Sequence, residues 1–183
     1  MTLAATGLDA TLLARLAIPH RAKSAFHALM DAGEAAMPLA RQGLDHPNAA
    51  VRYYCAQYFD HFMSERDMAD MAHLLDDPSA GVRSATLHTL SCDRCKGDMQ
   101  LPYDGPILEK GIALMRTDPS AHVRAMAVGL VGRSVHAVPR AAEALLATQA
   151  SDPSPAVRKK AGWYVPGGPI FRRTAPKRPR ARG

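Results

Sequence analysis

Aromatic side chains are scarce in this chain, at 5% of 183 residues, with one tryptophan, Trp163. Strand faces draw on aromatic and β-branched residues. Their scarcity, together with 47% apolar residues supplied mainly by Ala, Leu and Met, points to closely packed helices rather than sheets. Cysteine is sparse too. Cys55, Cys92 and Cys95 are too few and too unevenly placed for a secreted disulfide framework, which leaves reduced thiols or metal ligands. No apolar run approaches the roughly 18 residues of a membrane span, and the opening MTLAATGLDATLLARLAIPH lacks the basic leader of a secretory signal, so a soluble cytoplasmic protein is expected. Acidic residues are missing from Arg158 to Gly183, where nine Lys or Arg residues fall, while residues 1–157 carry fourteen basic against seventeen acidic side chains. The net charge of +6 thus describes a mildly acidic body with a basic end. Also missing are a G-x-S-x-G nucleophile turn, an H-E-x-x-H metal helix and a glycine-rich phosphate loop, so the expectation is a protein that is not an enzyme.

What the sequence does contain is a repeat. Four segments align, LDHPNAAVR, LDDPSAGVR, RTDPSAHVR and ASDPSPAVR, ending at Arg52, Arg83, Arg124 and Arg158 with spacings of 31, 41 and 34. Each puts Pro five residues before Arg and Val immediately before it. Such a nonapeptide reads as a tight corner between two antiparallel helices. Pro stops the first helix and is expected at an early position of the second, where Asp77, Asp118 and Asp152, or Asn48, Ser79, Ser120 and Ser154, can cap the free amides. Apolar residues recur at intervals of three and four: Met37, Leu39, Ala40 and Leu44; Met68, Met71, Leu74 and Leu75; Ile107, Leu108, Ile112 and Met115; Ala141, Ala144, Leu145 and Leu146 on first helices. Val51, Ala56 and Phe59, and their counterparts after Val82 and Val123, continue the inner face on second helices. One pair cannot cover its own apolar face; stacked pairs form a single core.

These segments resemble HEAT repeats, especially the short bacterial, lyase-type form with a D-P-x-x-x-V-R corner. The resemblance implies an all-α, right-handed α–α superhelix over residues 1–168, with a degenerate unit at 9–32 and repeats at about 34–62, 66–91, 106–134 and 138–164. It also implies that Asp76 or Asp77, Asp118 and Asp152 tie neighbouring turns together with Arg52, Arg83, Arg124 and Arg158. The first copy departs from the pattern, with His46 where the others have Asp and Asp45 adjacent.

Function is read as adaptor work: a concave face formed by second helices that holds a protein partner, with Tyr53, Tyr54, Gln57, Tyr58, His61 and Tyr103 as contact candidates. The insertion SCDRCKGDMQLPYDGP carries Cys92 and Cys95 at C-x-x-C spacing, and stepping Cys92 back by one repeat lands on His61. Zinc held by Cys92, Cys95 and His61 is one reading, with His88 and His136 also in contention; a thiol redox pair or an unliganded surface pair are the others. Residues 169–183 read as a basic disordered tail whose Arg172, Arg173, Lys177, Arg178, Arg180 and Arg182 could attract nucleic acid in a salt-sensitive way. HEAT-like alkylpurine DNA glycosylases share the architecture, but an acidic body and a lone terminal tryptophan fit them poorly.

Overall fold

The computed structural model describes residues 8–92 and 104–176, and among these every regular element is helical. The chain divides into two compact units, Met1–Leu101 and Pro102–Gly183. The first contains α1 (Ala10–Leu16), α2 (Pro19–Asp31), α3 (Met37–Leu44), α4 (Ala49–Phe62), α5 (Met68–Ala72) and α6 (Ala80–Ser91). Short 3-10 segments at Gly33–Ala36, Glu65–Asp67 and His73–Asp76 lead into α3, lead into α5 and extend α5. The second unit contains α7 (Pro106–Thr117), α8 (Ala121–Gly132), α9 (Pro139–Ser151), α10 (Pro155–Gly162) and α11 (Pro169–Thr174). Hairpin partners α1–α2, α3–α4, α7–α8 and α9–α10 pack together, and so do the neighbouring second helices α4–α6 and α8–α10.

Each corner is built the same way. In three of them an Asp two residues ahead of the N-cap forms an Asx turn: Asp77, Asp118 and Asp152 Oδ1 accept from the backbone N–H of Ser79, Ser120 and Ser154 at 2.7, 2.8 and 2.7 Å, and in the first His46 Nδ1 accepts from Asn48 at 3.0 Å. Those serines, with Asn48 in the first corner, are the N-cap residues. Pro47, Pro78, Pro119 and Pro153 therefore sit just outside the second helix, not in its first turn as the sequence suggested. The Asx turn uses up the position that an early helical proline would take. Val51, Val82, Val123 and Val157 enter the core with no exposed surface.

The repeated arginine closes its own corner. Arg52, Arg83, Arg124 and Arg158 donate from Nη1 to the carbonyl six residues back, at 2.7, 2.7, 2.8 and 2.6 Å. Its other edge can reach the next corner. Within the first unit Arg52 grips Asp77 in a two-point pair of 2.6 and 3.0 Å, and within the second Arg124 grips Asp152 at 2.8 and 3.1 Å. The planar guanidinium suits that fork-to-fork geometry. Burial pushes the Asp77 and Asp152 carboxyls up. Hydrogen bonds from the arginines and the Ser79 and Ser154 amides outweigh this and hold both below the usual carboxylate range. Asp67, half of an ion pair with Arg41 and the cap of its own 3-10 turn through Ser64, is lowered in the same way.

Depressed folded-state values stabilise the protein above the unfolded carboxyl value of about 3.9 and cease to do so as pH falls through the folded values. We expect urea-unfolding midpoints to fall steeply below about pH 4. Asp77→Asn, which can still cap Ser79, should flatten part of that fall; an unchanged acid slope in this variant would exclude Asp77 as a source.

Two assignments change at the margins of the core. Leu146 is 46% exposed because it lies off the Ala141, Ala144, Leu145 and Thr148 stripe of α9. Residues 169–174, expected to begin a disordered tail, form α11. Its start is held by the Trp163 carbonyl, which accepts from the amides of Ile170 and Phe171 at 2.9 and 3.0 Å. His136 packs on Phe171 with ring centroids 4.4 Å apart and meets Thr174 Oγ1 at 3.0 Å. Gly168 permits this approach, since a Cβ there would come within 2.5 Å of the carbonyl oxygens of Gly162 and Trp163.

Candidate functional site

The contact candidates on α4 separate by helical phase. Tyr53, Tyr54 and Gln57 are half-buried, His61 is exposed, and Tyr58 has no exposed surface. Tyr58 is therefore not a contact residue. Its hydroxyl donates to the Gly33 carbonyl at 2.6 Å, its ring stacks on Phe62 at 4.7 Å, and burial, with the charges of Glu34 and Asp67, pushes the phenol up to about 12. It buttresses the α2–α3 turn, where Gly33 takes a positive φ of 56°.

Tyr53 and Tyr54 do come together, edge to face at 5.3 Å, and Tyr54 continues to Phe26 of α2 at 5.4 Å. The Gln57 amide donates to the Tyr53 hydroxyl at 3.1 Å. On the α6 side, Gly81 comes close to the Tyr53 ring, where a Cβ would lie 4.0 Å from the ring's Cδ2. The result is a half-exposed strip, Phe26–Tyr54–Tyr53, on two adjacent second helices. Phe26 was missed in the sequence. It lies 28 residues before Tyr54, one repeat less about one helical turn, a spacing the corner motif does not mark. His61 points elsewhere and lines a shallow pocket with Glu34, Phe62, Ser64 and Arg66. Tyr103 lies outside the described residues.

The metal-ligand reading changes partner. Cys92 is brought together with Asp60 and His88, one ligand atom of each lying within 4.8 Å of the others, and His61 is not part of the group. Neighbours on a helix diverge by about 100°, so Asp60 and His61 cannot face the same point. Cys92 also leaves the helical path, with φ −75° and ψ 108° at the end of α6, so stepping by whole repeats misplaces its side chain. Cys95 lies outside the described residues, and His136 belongs with Phe171 and Thr174. Cys55 is fully buried in α4, and burial pushes its thiol up to about 12, as for a small core residue.

At the basic end, Arg172 and Arg173 are exposed on α11, and Arg172 also donates to the Gly167 carbonyl. Lys177, Arg178, Arg180 and Arg182 lie outside the described residues. Among the described residues no helix is long and apolar enough to cross a membrane.

Stacked helix pairs with four equivalent corners decide the fold. The chain has the architecture of a HEAT-like solenoid. A chain in the structure of the complex of CpcE and CpcF of phycocyanin lyase from Nostoc sp. PCC7120 superposes with a TM-score of 0.65. Identity is 22%, covering 87% of this chain and 97% of that one. No family model and no curated protein sequence matches. The HEAT-like likeness therefore rests on shape and on the corners, and at this identity it speaks for the fold and leaves chemistry to the side chains.

Proposed function

We propose that this HEAT-like chain is a non-catalytic adaptor that holds a protein partner, and that the strip of Phe26, Tyr54 and Tyr53 is the centre of its contact surface. The supporting observation is local concentration. In a chain with 5% aromatic residues, three rings lie side by side, half-exposed, on adjacent second helices. Tyrosine combines large apolar area with a polar edge and is enriched among residues that dominate binding energy. The Gln57 amide holds the Tyr53 hydroxyl, so little side-chain freedom is left to lose on docking. That CpcE and CpcF form a complex agrees with this use of the fold.

The test is capture from native extract by wild type and by the Tyr53→Ala/Tyr54→Ala variant. A protein held by the wild type should bind the variant at least about tenfold more weakly, with the helical signal unchanged. Identical retention by both forms would refute the surface. Retention only of nucleic acid, lost at raised salt and on deletion of residues 170–183, would favour the basic end instead.

A further inference from the structure

We propose that Asp60, His88 and Cys92 form a site for a zinc-class divalent ion that clamps the end of α4 to the end of α6. The three belong to neighbouring second helices of the first unit, with Asp60 in the last turn of α4, His88 in the last turn of α6, and Cys92 as the cap residue of α6. Two helix C-termini, each carrying partial negative charge, thus meet beside a carboxylate whose side chain is only 8% exposed. Acidic groups are unfavourable at that end of a helix, and a cation is what the local field favours.

The spacing fits coordination better than it fits a direct hydrogen bond. His88 Nε2 and Asp60 Oδ2 are 3.5 Å apart, beyond a well-made N–H···O bond. Two first-row ligands at about 2.05 Å from one tetrahedral ion lie about 3.3 Å from each other. A tetrahedral S···N or S···O pair spans about 3.6 Å, so ligand atoms that all lie within 4.8 Å of one another need to close by no more than about 1 Å. One thiolate, one imidazole and one carboxylate form a borderline-soft set that suits Zn(II) or Co(II) and does not suit Mg(II) or Ca(II). On binding, the Cys92 thiol gives its proton to solvent and the sulfur pair forms the metal bond; nothing is oxidised. His88, with a side chain 55% exposed, sits at the mouth, and Asp60 at the base.

The experiment uses tag-free full-length protein, stripped with chelator, kept reduced and titrated with Co(II). One equivalent should bind with a sulfur-to-cobalt charge-transfer absorption in the near ultraviolet, and Zn(II) should displace it. Cys92→Ser should abolish that absorption. His88→Ala and Asp60→Asn should each weaken binding roughly tenfold or more, while Cys55→Ser leaves it intact. His88 is exposed enough for its variant to fold, which keeps the test decisive if Asp60→Asn does not. Absence of stoichiometric binding, or an absorption that survives Cys92→Ser, would overturn the assignment.

Discussion

Arg124→Ala should lower the unfolding free energy by about 3 kcal/mol, the largest single effect expected at the repeated corners. Arg124 is 8% exposed, and its guanidinium satisfies the Asp152 carboxylate at two points and the Asp118 carbonyl at 2.8 Å. Removing it strands a buried charge and a buried acceptor together, and that penalty exceeds the modest net worth of an intact pair. Lysine cannot restore the two-point contact, so Arg124→Lys should recover only part of the loss. Arg158 offers an internal control, because it repeats the carbonyl contact at 2.6 Å but makes no ion pair or hydrogen bond with a carboxylate among the described residues. Arg158→Ala should cost about 1 kcal/mol. Urea unfolding followed by the fluorescence of Trp163, which lies in the same unit, measures both. Equal costs for the two variants would show that the carboxylate adds nothing.

The second large effect comes from missing volume. A Cβ on Gly43 would lie 2.2 Å from Cys55 Sγ and 3.2 Å from Leu13 Cδ2, inside a core where all three residues are buried. Gly43→Ala gains helix propensity but forces this packing apart, and a net loss of about 2 kcal/mol is expected. Cys55→Ala alone should cost about 1 kcal/mol through its small cavity. Combined, the new methyl occupies space the sulfur has left, so the double variant should be more stable than the sum of the two losses implies, by about 1 kcal/mol. Strict additivity in urea unfolding, monitored by far-ultraviolet circular dichroism, would mean that the backbones separate instead and that the contact is not the cause.

The corners were readable because four side-chain types recur at fixed offsets, each with one physical role. Proline stops a helix, aspartate turns the chain, valine enters the core and arginine closes the corner. Linear spacing says little about angle. It placed Tyr58 beside Tyr54 on a binding face, whereas the helical screw turns Tyr58 inward onto Gly33. It paired Cys92 with His61, one residue from the side chain that faces it, because a residue at a helix cap no longer obeys the screw of the repeat. The strip partner Phe26 belongs to the degenerate first unit, where no corner motif marks the register. Nor does composition reveal α11: it depends on the backbone crossing at Gly168, a contact between segments that no local propensity encodes.

Repeat architectures are open-ended by construction, since the surface that receives the next layer resembles the one that received the last. Here the series of corners changes character at its first and last members. Among the described residues Arg158 completes the last corner without an ion pair of the kind Arg52 and Arg124 make, and the first corner has His46 in the Asp position, its Nδ1 accepting from the amide of Asn48 at 3.0 Å. The two-point clasp needs both of its halves, a guanidinium in one corner and a carboxylate in the next, as Arg52 has in Asp77 and Arg124 has in Asp152. Acid therefore unlatches the clasped corners, while α1 and α2, which precede the His46 corner, are joined to α3 and α4 by packing that protonation leaves alone.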